Sequence, residues 1–525
     1  MNQTSESLSR LARAAMARGD WPGVEQAARE LIQHWPQAAE GHFLFGKVCK
    51  AAQRPNQAIE AFSAALQMDP ARYDAGIELA DQCTIAKDNA RSRELLERFR
   101  DALDNSPRYL DMAATCYVNI GLPEEALPLY AKAVALQPEI DLFRANLAAC
   151  SVYTGDIDQA AQLYAGLLEQ NPHHQRNHYQ LSRLRRAQDS THIDAMLASL
   201  AHTRQPEGKN IFMYYALGKE YEDLGEWDAA FSYYQRAGDA ATRAANYTLD
   251  EDVEIIETAI ASCSATWFRE QQPAEVAPGP QPIFILGLPR TGSTLSERML
   301  GAHSQVDSVG ETQFLPVAVR MSSQVADHRQ MTPAMIAGAA RAPSADIARE
   351  YLQRIGYRLG DEPWFIEKLP YNSLFLGLIA KAFPAARMIV VERDPMDACF
   401  AMYKQVFTWA YKYSYDLENL GHYYCHYARL MDHWREQLGE RLHFLRYESL
   451  VADPEAELRR ALDYLGLPFE AQCLEFHRSR AASTTASSVQ VREKIHGDSV
   501  GRWHNFEAQL EPLRRIFDAN GIEYR

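Results

Sequence analysis

The sequence predicts an N-terminal all-α solenoid followed by an α/β domain with a central parallel sheet. Two observations support this: prolines and small residues repeat with a fixed period in the first half, and short apolar strands alternate with helical stretches in the second. A proline-rich polar linker separates the halves. We therefore expect a repeat array over residues 1–245, a capping helix and linker over 246–281, and an α/β domain over 282–525.

Composition excludes several classes of protein. The net charge of −15 argues against sequence-independent nucleic-acid binding, which needs a surplus of Lys and Arg. No run approaches the ~18 apolar residues of a membrane span, and the N-terminus lacks a signal-peptide core, so we expect a cytoplasmic protein. The eight cysteines form no C-x-x-C pair, so we expect reduced thiols and no metal site.

Prolines mark the repeats of the first half. Pro36 and Pro70 lie 34 residues apart, as do Pro138 and Pro172. Within each unit, small residues allow two antiparallel helices to approach closely, and an aromatic residue fills the gap to the next pair. The pattern resembles the tetratricopeptide repeat, whose period is ~34 residues. Its copies are Gly46, Ala58, Phe62, Ala65, Pro70; Ala114, Ala126, Tyr130, Ala133, Pro138; Ala148, Ala160, Tyr164, Pro172; and Gly218, Ala230, Tyr234, Ala237.

A glycine-containing loop follows the first strand of the second half. The sequence GLPRTGST occupies residues 287–294 and leads into a helix, so backbone N–H groups and the helix dipole converge on one point. Compared with the nucleotide P-loop, the glycines fit at Gly287 and Gly292, but Ser293 replaces the lysine and the cation is Arg290. The pattern predicts a phosphate-binding loop and argues against a kinase or NTPase.

Polar residues follow the neighbouring predicted strands. Because parallel strands end at one edge of a sheet, we expect these side chains to approach the loop. They are Lys368 after the strand at 364–366, Arg393 after 387–391, and Tyr447 after 442–445.

The ordered motifs resemble a known family. GLPRTGST, Gly310-Glu311, EKLPYN, RDPMD, RYESL and the tail SSVQVREKIHGDSVGRW together are similar to sulfotransferases that use PAPS (3′-phosphoadenylyl sulfate). The pattern most resembles the bacterial branch carrying tetratricopeptide repeats, with tyrosylprotein sulfotransferases as mechanistic relatives. The resemblance extends over 282–525 and implies a P-loop-like core.

The resemblance also implies site residues. The loop would hold the 5′-phosphosulfate, Arg393 would contact the 3′-phosphate, and Tyr447, Ser488 and Arg502 would make further contacts to the nucleotide. PAP would be the product. The loop residues concerned are Arg290, Thr291, Gly292, Ser293 and Thr294.

One position departs from the family pattern. The family usually places a serine eight residues after the RDP arginine, where this chain has Ala401. The change removes one hydrogen bond of about 1.5–3 kcal/mol to a charged group. Lys404, one turn further on, is the expected substitute. An inactive repeat scaffold is the alternative that Ala401 supports.

Sulfuryl transfer needs charge neutralisation on the leaving phosphate, removal of the acceptor proton and in-line positioning. Arg290 and Lys368 suit the first task. Glu311 suits the second, at the position of the catalytic glutamate in the protein sulfotransferases. The family needs no magnesium, which fits a chain without metal-ligand clusters. The four retained charges Arg290, Glu311, Lys368 and Arg393 favour an active enzyme over a scaffold.

The sequence alone does not identify the acceptor. Repeat arrays commonly present concave peptide-binding surfaces, and a carboxylate base reaches a phenol of pKa ~10 more easily than an alcohol. We therefore expect a protein or peptide acceptor, with tyrosine as the sulfated residue. The alternative is a glycan or small-molecule acceptor, with the repeats used for oligomerisation, for example as a homodimer.

Overall fold

The computed structural model describes residues 4–276, 278–327, 329–407, 410–479, 481–485 and 487–525. Packing divides the chain into two compact units, Met1–Thr154 and Gly155–Arg525. The sequence-based boundaries at 245 and 281 stay a prediction about which segments form separate domains.

The first unit is helical. Two of its helices begin at an aspartate cap: Asp20 accepts the Gly23 N–H, and Asp88 accepts the Arg91 N–H. The helices are α1 Ser5–Ala17, α2 Trp21–His34, α3 Ala39–Ala51, α4 Pro55–Met68, α5 Tyr73–Ile85, α6 Asn89–Phe99, α7 Pro107–Asn119, α8 Pro123–Leu136 and α9 Asp141–Thr154.

Small residues bring the paired helices together. A Cβ placed on Gly46 of α3 would lie 2.5 Å from the Phe62 ring of α4, so only glycine fits there. Gly218 and Tyr234 repeat the relationship in the second unit, at 2.6 Å. The helical-repeat prediction is confirmed, and the contact explains why small and aromatic positions recur together.

The second unit opens with further helices. They are α10 Ile157–Gln170, α11 Gln175–Leu184, α12 Thr191–Thr203, α13 Ile211–Asp223, α14 Trp227–Ala245, α15 Leu249–Ser262 and α16 Ala265–Glu270. The segment expected to form one capping helix therefore contains two, α15 and α16. The chain breaks at Ser264, whose side chain accepts the N–H of Trp267 and starts a new helix.

The predicted parallel sheet follows, and it has five strands. Its strands are β1 Gln281–Gly287, β2 Val306–Gly310, β3 Trp364–Lys368, β4 Arg387–Glu392 and β5 Leu442–Arg446, in the order β2-β3-β1-β4-β5. Strand β2 was missed from the sequence because it is a short, half-exposed edge strand with polar residues. The central strand β1 carries the glycine loop.

Helices cover both faces of this sheet. Along β1, Phe284 and Leu286 pack into one apolar core, and Ile283 and Ile285 pack into another. This explains the continuous apolar run of β1. The remaining helices are α17 Ser293–Leu300, α18 Phe314–Ser323, α19 Pro333–Arg341, α20 Ser344–Ile355, α21 Leu376–Ala382, α22 Pro395–Tyr403, α23 Leu417–Leu438, α24 Tyr447–Ala452, α25 Pro454–Leu465 and α26 Glu511–Asn520.

Within the described ranges, no helix combines the length and apolar content that crossing a membrane requires.

Candidate active site

The glycine loop lies between the ends of two neighbouring strands. Strand β1 pairs with β3 so that Ile285 is opposite Lys368, and with β4 so that Gly287 is opposite Val391. The loop after Gly287 is therefore flanked by Lys368 on one side and Arg393 on the other. The expectation that these strand ends meet at one edge is confirmed.

Two features of the structure require glycine at position 292. Its φ is +102°, in the left-handed region, and it immediately precedes α17. A Cβ there would also lie 2.5 Å from Cδ2 of Tyr447. The loop and Tyr447 thus pack directly together, at the N-terminus of α17, where backbone N–H groups attract anions.

A cleft opens beside this loop. Its lining includes most of the residues expected to bind the nucleotide, together with residues of the tail after 486. The loop and strand-end residues are Arg290, Gly292, Ser293, Thr294, Arg393 and Tyr447, and those from the tail include Ser487, Gln490, Lys494, His496 and Ser499. Thr291 is a buried residue of the loop, and its hydroxyl donates to the Leu288 carbonyl at 2.8 Å.

Arg290 reaches across the cleft to the tail. Its guanidinium donates to Oγ of Ser487 and, at 2.8 Å, to Oε1 of Gln490. Burial lowers the pKa of Arg290 to about 10, and the positive charges of Arg183 and Arg393 act in the same direction. The cleft therefore concentrates positive charge, and a bound anion would relieve that repulsion.

Arg393 forms the other side of the cleft. It donates to the carbonyl oxygen of Arg290 at 3.0 Å and to that of Ser499, and its guanidinium lies 4.9 Å from the ring centre of Tyr447. Its buried Nε has no hydrogen-bond partner among the described residues. An orphaned guanidinium N–H beside a positively charged cleft fits a phosphate-bearing ligand.

Lys368 and Glu311 form a hydrogen-bonded ion pair. The Lys368 side chain is 1% exposed, and its Nζ donates to Oε1 of Glu311, whose side chain is 36% exposed. Oε2 of Glu297, on α17, lies 3.7 Å from the same Nζ. A buried ammonium is thus flanked by one carboxylate that is partly exposed to solvent and one from α17.

Two carboxyl groups near this pair were not indicated by the sequence. Glu297 accepts a hydrogen bond from the Ser308 hydroxyl at 2.8 Å. Glu367 is fully buried, accepts from the Thr312 hydroxyl at 2.7 Å, and has its pKa raised to about 7 by burial. Thr312 follows Glu311 in the sequence, and Glu367 precedes Lys368. Each of the two residues is thus adjacent to a predicted site residue, and this adjacency is the sequence signal that could have indicated the contact between Thr312 and Glu367.

Thr291, Glu311 and Lys368 lie outside the lining of the cleft, and so do Ser488, Arg502 and Lys404. Ser488 is 3% exposed and does not line it, whereas its neighbour Ser487 does. Nε of Arg502 bonds to Oε1 of Glu222 at 3.0 Å, and Lys404 donates to both oxygens of the same carboxylate, at 2.7 and 3.0 Å. The nucleotide contacts expected of Ser488 and Arg502 stay predictions.

A parallel sheet with a glycine loop and converging arginines is the arrangement of an α/β domain whose loop attracts anions. Residues 282–471 match the model of the sulfotransferase family, and residues 121–192 match a tetratricopeptide-repeat model. The chain thus combines a region similar to sulfotransferases with a preceding region similar to tetratricopeptide repeats.

Three similar proteins illustrate the relationship. An uncharacterised protein of Aquifex aeolicus is 27% identical over 370 residues, which are 69% of this chain and 48% of that protein. The chain thus spans about half the length of this relative. Protein-tyrosine sulfotransferase 1 of Danio rerio is 25% identical over 240 residues, covering 42% of this chain and 65% of the relative.

The third is a solved structure, the sulfotransferase domain of the Synechococcus PCC 7002 olefin synthase. It is 21% identical and covers 49% of this chain and 100% of that domain, with a TM-score of 0.35. At that score, the likeness does not bear on the site.

Proposed function

We propose that the chain is a PAPS-dependent sulfotransferase that transfers a sulfuryl group to the tyrosine hydroxyl of a protein or peptide. One observation carries the proposal: Arg290 and Arg393 converge with the glycine loop on a single cleft, while the Lys368–Glu311 pair lies at the adjacent strand end. An anion site beside a carboxylate base matches the demands of this reaction.

The chain's own groups suit the nucleotide. N–H groups at the start of α17 and the guanidinium of Arg290 would hold the 5′-phosphosulfate, and Arg393 would hold the 3′-phosphate with its orphaned Nε. Tyr447 packs against both Gly292 and Arg393 and would fix their relative position. PAPS, when bound, supplies the sulfuryl group, and PAP is the product.

Proton removal would fall to Glu311. The exposed carboxylate can receive an acceptor from solvent, and its Oε1 would take the proton of the attacking hydroxyl. That oxygen now accepts from Lys368, so accepting a proton weakens the ion pair. Nζ of Lys368 is then available to donate toward the charge that develops on the leaving phosphate.

Two observations favour a protein acceptor. The tetratricopeptide repeats belong to a fold class that commonly binds peptides, and one relative is named as a protein-tyrosine sulfotransferase. A carboxylate base also matches a phenol of pKa ~10.

Incubation with PAPS and a tyrosine-containing peptide should release PAP, whereas the same peptide with phenylalanine should not. Transfer to glycans alone would redirect the acceptor assignment.

Calorimetric titration tests the cofactor first. PAP should bind in the micromolar range without added metal, and ADP and ATP should bind far more weakly with or without magnesium. Such selectivity would also establish that Ala401 is compatible with nucleotide binding. Folded protein that does not bind PAP would overturn the proposal.

A further inference from the structure

Glu222 is a buried carboxylate of α13, and it precedes the segment that matches the sulfotransferase family model. Its Oε1 accepts from Nζ of Lys404 at 2.7 Å and from Nε of Arg502 at 3.0 Å. Its Oε2 accepts from the Tyr234 hydroxyl at 2.8 Å. Burial alone would raise the pKa of Glu222, but these donors hold it below its usual range. One charged carboxylate therefore fixes two cations.

The tail segment 499–503 is fixed on two sides. On one side, the buried Asp397 carboxylate accepts the N–H of Gly501 at 2.6 Å and that of Trp503 at 3.1 Å. On the other side, Glu222 holds the arginine of the segment. Because both carboxylates are buried and bonded to it, the segment has one well-defined position.

This segment also forms part of the nucleotide cleft. Ser499 lines the cleft, and its carbonyl oxygen accepts from the guanidinium of Arg393. Asp397 lies 3.8 Å from the same guanidinium. A shift of the segment 499–503 would therefore move the acceptor that orients Arg393.

We propose that Glu222 is a positioning residue for the nucleotide cleft. Through Arg502 it fixes the segment 499–503 and so orients Arg393 toward the 3′-phosphate of the bound nucleotide. The inference rests on the proposed function, because it assumes that Arg393 binds that phosphate. Part of the nucleotide cleft would then be held in place by α13, a helix of the predicted repeat region.

The opposite role would be inhibitory, with Glu222 withholding Lys404 and Arg502 from the phosphate. The hydrogen bonds argue for support instead. The carboxylate is saturated by three donor groups, and removing its charge would leave two partly buried cations without a counter-ion. Loss of Glu222 should therefore increase the mobility of the segment 499–503. It should not make Lys404 and Arg502 available to bind the phosphate.

Nucleotide binding by the full-length chain tests this role. Calorimetry would compare PAP with AMP, which lacks the 3′-phosphate, for the wild type and Glu222→Gln. We expect the variant to lose PAP affinity on the order of tenfold, a typical size for coupling between separate sites, and to keep its AMP affinity. A general loss of structure would weaken both nucleotides.

Glu220→Gln is the matched control. Glu220 is a buried carboxylate two residues away on α13, but its partner is Nδ1 of His192, at 2.5 Å. The same substitution there should leave the ratio of PAP to AMP affinity unchanged. A second comparison uses Arg502→Gln: if Glu222 acts through Arg502, the double variant Glu222→Gln/Arg502→Gln should bind PAP no more weakly than Arg502→Gln alone.

The outcomes separate this inference from the proposed function. A wild type that does not prefer PAP to AMP would overturn the proposed function. A wild type with that preference and a Glu222→Gln variant that keeps it, or binds PAP more tightly, would overturn the positioning role alone. If the glutamine variant does not fold, Glu222→Asp retains the charge on a shorter side chain, and a smaller but selective loss of PAP affinity is expected.

Discussion

Lys368 and Glu311 are partners of opposite exposure: the lysine side chain is 1% exposed, whereas that of the glutamate is 36% exposed. The buried member is fixed by strand β3, and the exposed member follows the edge strand β2. The proposed roles call for this division. A base must be reached by the acceptor from solvent, and a cation stabilises charge on a leaving group best where water is excluded.

Glu311→Gln should lower kcat by about 10²–10⁴, because the amide cannot take the acceptor proton. The affinity for PAP should change little, since Glu311 does not line the cleft. Single-turnover assays beside calorimetry would measure the two effects separately. Glu440→Gln, a substitution at an exposed position, provides the control. A folded Glu311→Gln variant with normal turnover would remove Glu311 from the role of base.

Arg290→Ala should reduce turnover by on the order of 10²–10³, because it removes a donor that stabilises charge on the leaving phosphate. Arg290→Lys should recover only part of the activity, since a lysine lacks the planar fork that spans Ser487 and Gln490. Steady-state kinetics would test both variants, with Arg341→Ala at an exposed site as the control. Near-normal turnover in Arg290→Ala would contradict the assignment.

Gly292→Ala should destabilise the loop. The residue has a φ of +102°, and the added Cβ would meet Tyr447 at 2.5 Å, so strain of about 1–3 kcal/mol is expected from the backbone alone. Denaturant unfolding and PAP titration would both report the change. Gly208→Ala, where nothing lies within 4 Å of the new Cβ, is the control. Equal stability of the two variants would argue against a strained loop.

Glu367 should give the protein a pH-dependent stability. Its folded-state pKa is raised to about 7 by burial, so the folded state holds a proton that the unfolded state releases above a pKa of ~4.3. The protonated group contributes stability that is fully present below pH ~4.3 and is lost as pH rises to about 7, by up to ~3–4 kcal/mol. Glu367→Gln should lack this loss.

Denaturant unfolding of wild type and Glu367→Gln at several pH values from 4 to 8 would measure the difference. The wild type should lose stability relative to the variant as pH rises through that window. Parallel curves for the two proteins would show that Glu367 does not titrate as expected.

The sequence predicted the parts of the site that local pattern determines. The apolar run of β1 and the spacing of Gly287 and Gly292 indicated the loop, and the strand ends indicated Lys368 and Arg393. The edge strand β2 was missed because its residues are partly exposed and polar.

Contacts made by distant residues could not be predicted in the same way. Glu222 and Arg502 are separated by 280 positions, and a single glutamate within a helical repeat has no periodicity that distinguishes it. Arg502 matched a family motif, yet its partner in the structure is a carboxylate that no motif contains. Pairing of this kind is set by the tertiary packing of α13 against the tail.

The aromatic packing around α14 has a practical consequence for dissecting the protein. The ring of Phe231, on α14, stacks on that of Tyr403, and the two ring centres lie 6.0 Å apart. The ring centre of Phe506 lies 6.2 Å from that of Phe231. A fragment that begins at residue 282, where the family match starts, would leave these rings facing water and Lys404 without its carboxylate. Such a fragment should aggregate, so the smallest soluble piece is expected to begin well upstream of the segment that matches the family model.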